Sequence, residues 1–144
     1  MQPITPAIDR QVGGNHYKHL AIQPVQYCHF NQMSFLPGCI IKRLARYNLP
    51  TGKGKQDLEK AIHELELLHD FNLERFDEPP AYFASVIDLY ILPASFSSAN
   101  RFNTWQRDVV ELVTRYNRNE GCGLSDLASA KTIILNLIDI AFPA

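Results

Sequence analysis

Between Gly38 and Lys60 the chain reads GCIIKRLARYNLPTGKGKQDLEK, and six of its fourteen basic residues fall within those twenty-three positions. Lys42 and Arg46 stand four apart, so a helix projects both from one face, where like charges repel. Arg43 flanks the pair, and Gly52, Lys53, Gly54 and Lys55 set two more ammonium groups on a glycine-spaced loop. The chemistry that suits such a group is phosphate binding. A guanidinium fork such as that of Arg46 can grip an anion like phosphate bidentately, and an ammonium such as Lys42 acts as a point charge. On charge alone, a charged face bathed in water is the preferred reading of the same residues, and only the neighbouring motifs argue for a bound anion.

Spacing excludes several phosphate and metal machines. A P-loop needs a glycine five positions before its Gly-Lys pair, whereas Leu49 and Tyr47 hold those positions ahead of Gly54 and Gly52. No G-x-G-x-x-G opens a helix and no H-E-x-x-H is present; His63 and Glu64 are adjacent without a second histidine at zinc spacing. An all-α nucleotide pyrophosphohydrolase would hold Mg²⁺ on clustered carboxylates, and Glu59, Glu64, Glu66 and Asp70 lack the E-x-x-E spacing. No metal ligand set is expected.

The elements that must carry these side chains follow from the hydrophobic pattern. A chain of 144 residues is the size of one domain, and 46% hydrophobic with 20% charged residues is ordinary globular composition. No apolar run approaches the roughly 18 residues that span a bilayer. The N-terminus lacks a basic leader followed by an apolar stretch, and the odd set Cys28, Cys39 and Cys122 shows no C-x-x-C spacing. A cytoplasmic protein with reduced thiols is expected. The net charge of −1 argues against a dedicated binder of duplex DNA.

Residues 1–12 read as an N-terminal arm, 13–76 as the core and 81–144 as an additional helical region of the same domain. GGNHYKHLAIQP is a turn leading to a first helix from Pro24 through Phe30, proline being suited to the first helical position. A second helix begins near Leu36 or Pro37, turns Ile40, Ile41, Leu44 and Ala45 inward, and ends near Asn48 ahead of Pro50. A third runs from Gln56 to Phe76 on the stripe Leu58, Ala61, Ile62, Leu65 and Leu68, stopped by the DEPP at 77–80. The run from Ala81 to Ser98 fits a buried helix or a strand, with helix preferred. Asn103 and Gln106 open a helix reaching Asn117. Ser125 is expected to cap a last helix, from Asp126 to Ala141, apolar on nearly every side and so destined for the core or for a subunit interface. The fold class is all-α.

In order and spacing, residues 13 to 70 resemble the small non-P-loop nucleotide kinases of short-tailed phages. The shared pieces are Asn15, His16, Tyr17 and Lys18 in GGNHYK; Gly38, Lys42 and Arg46 in GCIIKRLAR; the loop lysines Lys53 and Lys55; and Asp57, Leu58, Lys60 and Ala61 in DLEKA. Cys39 stands where that family has asparagine, and Arg43 where it has an aromatic. Residues 82–144 have no counterpart in it. The resemblance implies phosphoryl transfer from a nucleoside triphosphate to a deoxynucleoside monophosphate, with thymine and guanine nucleotides as substrates. It further implies Lys42, Arg46 and His16 as catalytic groups, and Asn15, Tyr17, Lys18, Arg43, Lys53, Lys55, Asp57 and Lys60 as substrate contacts. The acceptor is already anionic, so positioning and charge neutralisation carry most of the work. Mg²⁺ dependence stays open, with the resemblance pointing to little need of metal, and the same likeness implies a large homo-oligomer burying part of Ile133 to Ile140.

Each residue also has a plainer role. Asp57 serves as a helix cap or orients Lys60 or Arg46 through a salt bridge. His16 is a core or capping histidine, a phosphate contact, or a phosphohistidine carrier. Tyr17 and Tyr47 stack on a base or pack in the core. The alternatives for the whole chain are a nucleotide-binding protein, an all-α pyrophosphohydrolase, and a phage interaction protein whose basic face meets a host partner.

Overall fold

A computed structural model of the chain describes residues 6–10, 17, 20–74 and 90–144. The described residues are all-α: a 3-10 turn at Ala7–Asp9 precedes α1 (Pro24–Phe30), α2 (Phe35–Arg46), α3 (Lys55–Glu74), α4 (Pro93–Ala99), α5 (Thr104–Asn117) and α6 (Leu124–Ala141), with no strand among them. The DEPP stop and most of the apolar run after it lie outside the described residues. What is described of that run includes helix α4.

Local chemistry explains most boundaries. Pro24 and Pro93 occupy the first position of α1 and α4, and Pro37 sits in the first turn of α2, where the missing N–H is one that no helical carbonyl would accept. α5 opens on reciprocal bonds, Gln106 N–H donating to Asn103 Oδ1 at 2.8 Å and Asn103 N–H donating to Gln106 Oε1 at 2.9 Å. At α6 the expectation of a Ser125 cap is corrected: the helix starts at Leu124 with Gly123 as its cap residue, at φ +61° and ψ −123°, a conformation reserved for glycine. Asp126, inside the first turn, instead accepts from the Cys122 N–H at 2.9 Å.

Four helices close on one another: α2 packs on α3, α3 on α6, α6 on α5, and α5 on α2, while α1 lies on α2 and α4 on α5. The shared interior holds Ile40, Ile41 and Leu44 of α2, Leu58, Ala61 and Leu65 of α3, Val109, Val110 and Val113 of α5, and Ile134 and Leu137 of α6. The apolar stripes read from sequence for α2 and α3 are thus the core faces. Tyr27 stacks on Phe96 with ring centroids 4.1 Å apart, and its hydroxyl meets Thr114 Oγ1 at 2.6 Å, which fastens α1 to α4 and α5. Gln106, 1% exposed, donates to the Leu44 carbonyl at 2.7 Å, so the polar group carried into the core is satisfied on α2.

The α2–α3 connection is tight. Leu49 N–H donates to Arg46 O and Gly52 N–H to Leu49 O, both at 2.9 Å. A Cβ on Gly52 would lie 2.0 Å from the Arg46 carbonyl oxygen, so only glycine fits this turn. The turn delivers Lys53 and Lys55 to the start of α3, beside the last turn of α2.

Candidate functional site

The basic end of α2 meets two carboxylates of α3. Asp57 is in the first turn of α3 and its side chain is fully buried. It takes the guanidinium fork of Arg46 through Nε–Oδ2 at 3.1 Å and Nη2–Oδ1 at 2.5 Å, and it accepts the Lys53 backbone N–H at 2.9 Å. Seven residues on, Glu64 accepts Arg43 Nε at 2.9 Å, and Arg43 Nη1 stands 4.0 Å from Asp57 Oδ1. Burial alone would raise the Asp57 carboxyl, but the Arg46 fork, the Lys53 N–H and the Arg43 charge hold it below the usual carboxylate range. The bond to Asp57 correspondingly raises Arg46. Tyr17 lies within hydrogen-bonding reach of Arg46, and burial raises its phenol.

These contacts resolve the alternatives for Asp57: it pins the loop and it pairs with Arg46. The fork that would grip phosphate is therefore engaged by a carboxylate of the same chain. The negative partner demanded by Lys42 and Arg46 on one helix face is likewise internal for Arg46. Arg43 is held in the same way by Glu64. Lys42 differs, for among the described residues no carboxylate pairs with it. Lys53, Lys55 and Lys60 are exposed. Tyr47 is buried in the core, its hydroxyl accepting from Asn103 Nδ2 at 2.8 Å, which settles its plainer role. Asn15, His16 and Lys18 lie outside the described residues.

Lys42 reaches a cavity of about 330 Å³ between α1 and α2, lined chiefly by Tyr17, Cys28, Met33, Phe35, Gly38 and Cys39. A second concavity of about 340 Å³ lies between α3 and α6. Its polar side chains sit beside one another, Lys131 with Glu66 at 4.0 Å and the His69 ring with Asp70 at 3.7 Å, and all four are at least 42% exposed. That is the behaviour of a solvated groove wall. Among the described residues no three His, Cys, Asp or Glu side chains are grouped to hold a metal ion, and no helix is long and apolar enough to cross a membrane.

Two features escaped the sequence. Glu64, which lacks metal-site spacing, neutralises Arg43; the signal for this is its place beside Ala61, Leu65 and Leu68 on the apolar stripe, where a lone acid needs a partner. The cavity lining from Cys28 to Phe35 carried no motif at all. Compared with known proteins, the chain matches no family model, no curated sequence and no solved structure.

Proposed function

We propose that the protein is a nucleotide phosphotransferase, converting a deoxynucleoside monophosphate of the thymine or guanine type to its diphosphate at the expense of a nucleoside triphosphate. The observation that carries this reading is the contrast on α2: Arg43 and Arg46 are neutralised by Glu64 and Asp57, while Lys42 lines a cavity and, among the described residues, has no carboxylate against it. A cation left over beside a ligand-sized cavity is suited to an anionic group. The exposed loop lysines, pinned to the end of α2 through Lys53 N–H and Asp57, add positive charge at the α2–α3 junction, at the Arg46 end of the helix face that carries Lys42 and Arg46. The resemblance of residues 13–70 to phage nucleotide kinases supports the choice of phosphoryl transfer. In this scheme Lys42 contacts phosphate directly, Lys53, Lys55 and Lys60 supply surrounding charge, and Arg46 and Asp57 position the loop. His16, Asn15 and Lys18 retain their proposed roles. Assembly into a homo-oligomer and a cytoplasmic location belong to the same proposal.

A second reading is favoured by the engaged Arg46 fork. With both arginines neutralised, the site retains enough charge to bind a nucleotide and less to stabilise a transferring phosphoryl group, which describes a nucleotide-binding protein without turnover. One assay separates the two. Purified protein is incubated with each deoxynucleoside monophosphate and a labelled triphosphate, with and without chelator. A kinase yields labelled diphosphate, and Lys42→Ala lowers its rate by about 100-fold or more. Binding without diphosphate from any donor and acceptor pair selects the second reading. Free phosphate or pyrophosphate released without an acceptor identifies a hydrolase.

A further inference from the structure

The cavity beside Lys42 is chemically lopsided. Val25, Met33 and Phe35 give it apolar walls, and among its described lining residues Lys42 is the charged one. Burial pushes the Cys28 thiol up to about 12 and raises that of Cys39, so both sulfurs are uncharged at neutral pH. Phe35 is 82% exposed and Val25 62% exposed, leaving aromatic and aliphatic surface open at the rim. Gly38 lies in the second turn of α2, where glycine weakens a helix relative to alanine. A Cβ there would meet Cys28 Sγ at 3.7 Å and Met33 Cβ at 3.8 Å, both ordinary contacts, so alanine would fit the backbone. What the missing methyl leaves is room in the cavity.

An occupant matched to these walls is flat and weakly polar at one end and anionic at the other. We propose that the cavity takes the heterocyclic base of a nucleotide, stacked against Phe35 and bounded by Met33 and Gly38, with its phosphate end on Lys42. This rests on the nucleotide reading above and adds which surface holds the base. An aromatic ring beside an apolar slot binds any base through its π-face, and such stacking carries about 1–3 kcal/mol per base in other systems, or about 5- to 150-fold in affinity.

The test uses methyl-¹³C methionine, because the chain has two methionines, one of them Met33. The Met33 resonance is assigned with Met33→Leu and followed while deoxynucleoside monophosphates or pyrophosphate are added, with calorimetry measuring binding in parallel. The ring current of a stacked base shifts the Met33 signal, whereas pyrophosphate binds without shifting it. Phe35→Ser, at a position already exposed, weakens nucleotide binding about tenfold. Gly38→Ala raises Tm yet weakens nucleotide binding. Saturating nucleotide that leaves Met33 unmoved, with affinity lost in Lys42→Ala and unchanged in Phe35→Ser, overturns the base pocket and leaves the phosphate reading standing. No calorimetric binding of any nucleotide overturns both.

Discussion

Asp57 is the residue on which most of the charged junction depends. Its carboxylate is fully buried against an Arg46 side chain that is 12% exposed, so removing the negative charge leaves a guanidinium short of both solvent and partner. Asp57→Asn is expected to destabilise the fold by about 3 kcal/mol, the lower end of the cost of breaking a buried pair, read from denaturant unfolding. The pH dependence has a defined sign. Because the folded carboxyl is held below its unfolded value, the unfolded chain takes up the proton first as pH falls. The contribution of Asp57 is therefore fully present above about pH 4 and is lost as pH drops through the lower, folded value. Stability of the native protein should fall across that window, and Asp57→Asn should flatten the slope. A mutant slope equal to the native one would dissociate Asp57 from acid unfolding. Arg46 and Lys42, equivalent by spacing, thus part company: Arg46→Ala strands a buried carboxylate, while Lys42→Ala removes a cation that pairs with no described carboxylate. The i,i+4 spacing was legible in the sequence and its resolution was not, because the contacts of Arg46 with Asp57 and of Arg43 with Glu64 cross between helices over 11 and 21 residues.

At the scale of elements, the α2–α3 turn links the core to the basic loop. Gly52→Ala forces a Cβ to within 2.0 Å of the Arg46 carbonyl oxygen, an impossible approach that only a rebuilt turn relieves. Rebuilding separates Lys53 N–H from Asp57 and frees Lys53 and Lys55. The expected loss exceeds about 1 kcal/mol, and trypsin should cut after these two lysines faster than in the native protein. Unchanged proteolysis and unchanged Tm would mean that the turn does not secure the loop. Helices α2, α3 and α5 were legible because their apolar residues recur at 3.6-residue spacing and, for α5, because Asn103 and Gln106 form a reciprocal cap. The start of α6 was not. Ser125 before an acid has the local signature of a cap, but the boundary is set by a positive-φ glycine two residues earlier, and composition does not report φ. The cavity was equally silent, since it is built from scattered residues of α1, the α1–α2 turn and α2 together with Tyr17.

Over the whole molecule, helix α6 carries more apolar surface than the core uses. At about 100° per residue, its isoleucines, leucines and alanines cover more than half the circumference. Core contacts bury Leu127, Ala130, Ile134 and Leu137, while Leu135 remains 45% exposed and Ile140 64% exposed. Ile133 and Ile140, seven residues apart, share one shoulder of the helix. Beside them Ser125, Ala128, Ser129 and Thr132 line a shallow groove of short side chains, which lets a second helix approach closely. Single exposed apolar residues are common on monomers, so exposure alone decides nothing. The combination of an apolar shoulder and a small-residue groove on one helix favours self-association through α6. Sedimentation at tens of micromolar is expected to find an oligomer that Ile140→Glu converts to monomer. Because Ile140 already faces solvent in the isolated chain, the substitution should leave the monomer's unfolding free energy nearly unchanged. An oligomer indifferent to Ile140→Glu would place its interface away from this shoulder, and a native monomer at that concentration would remove the assembly proposal altogether.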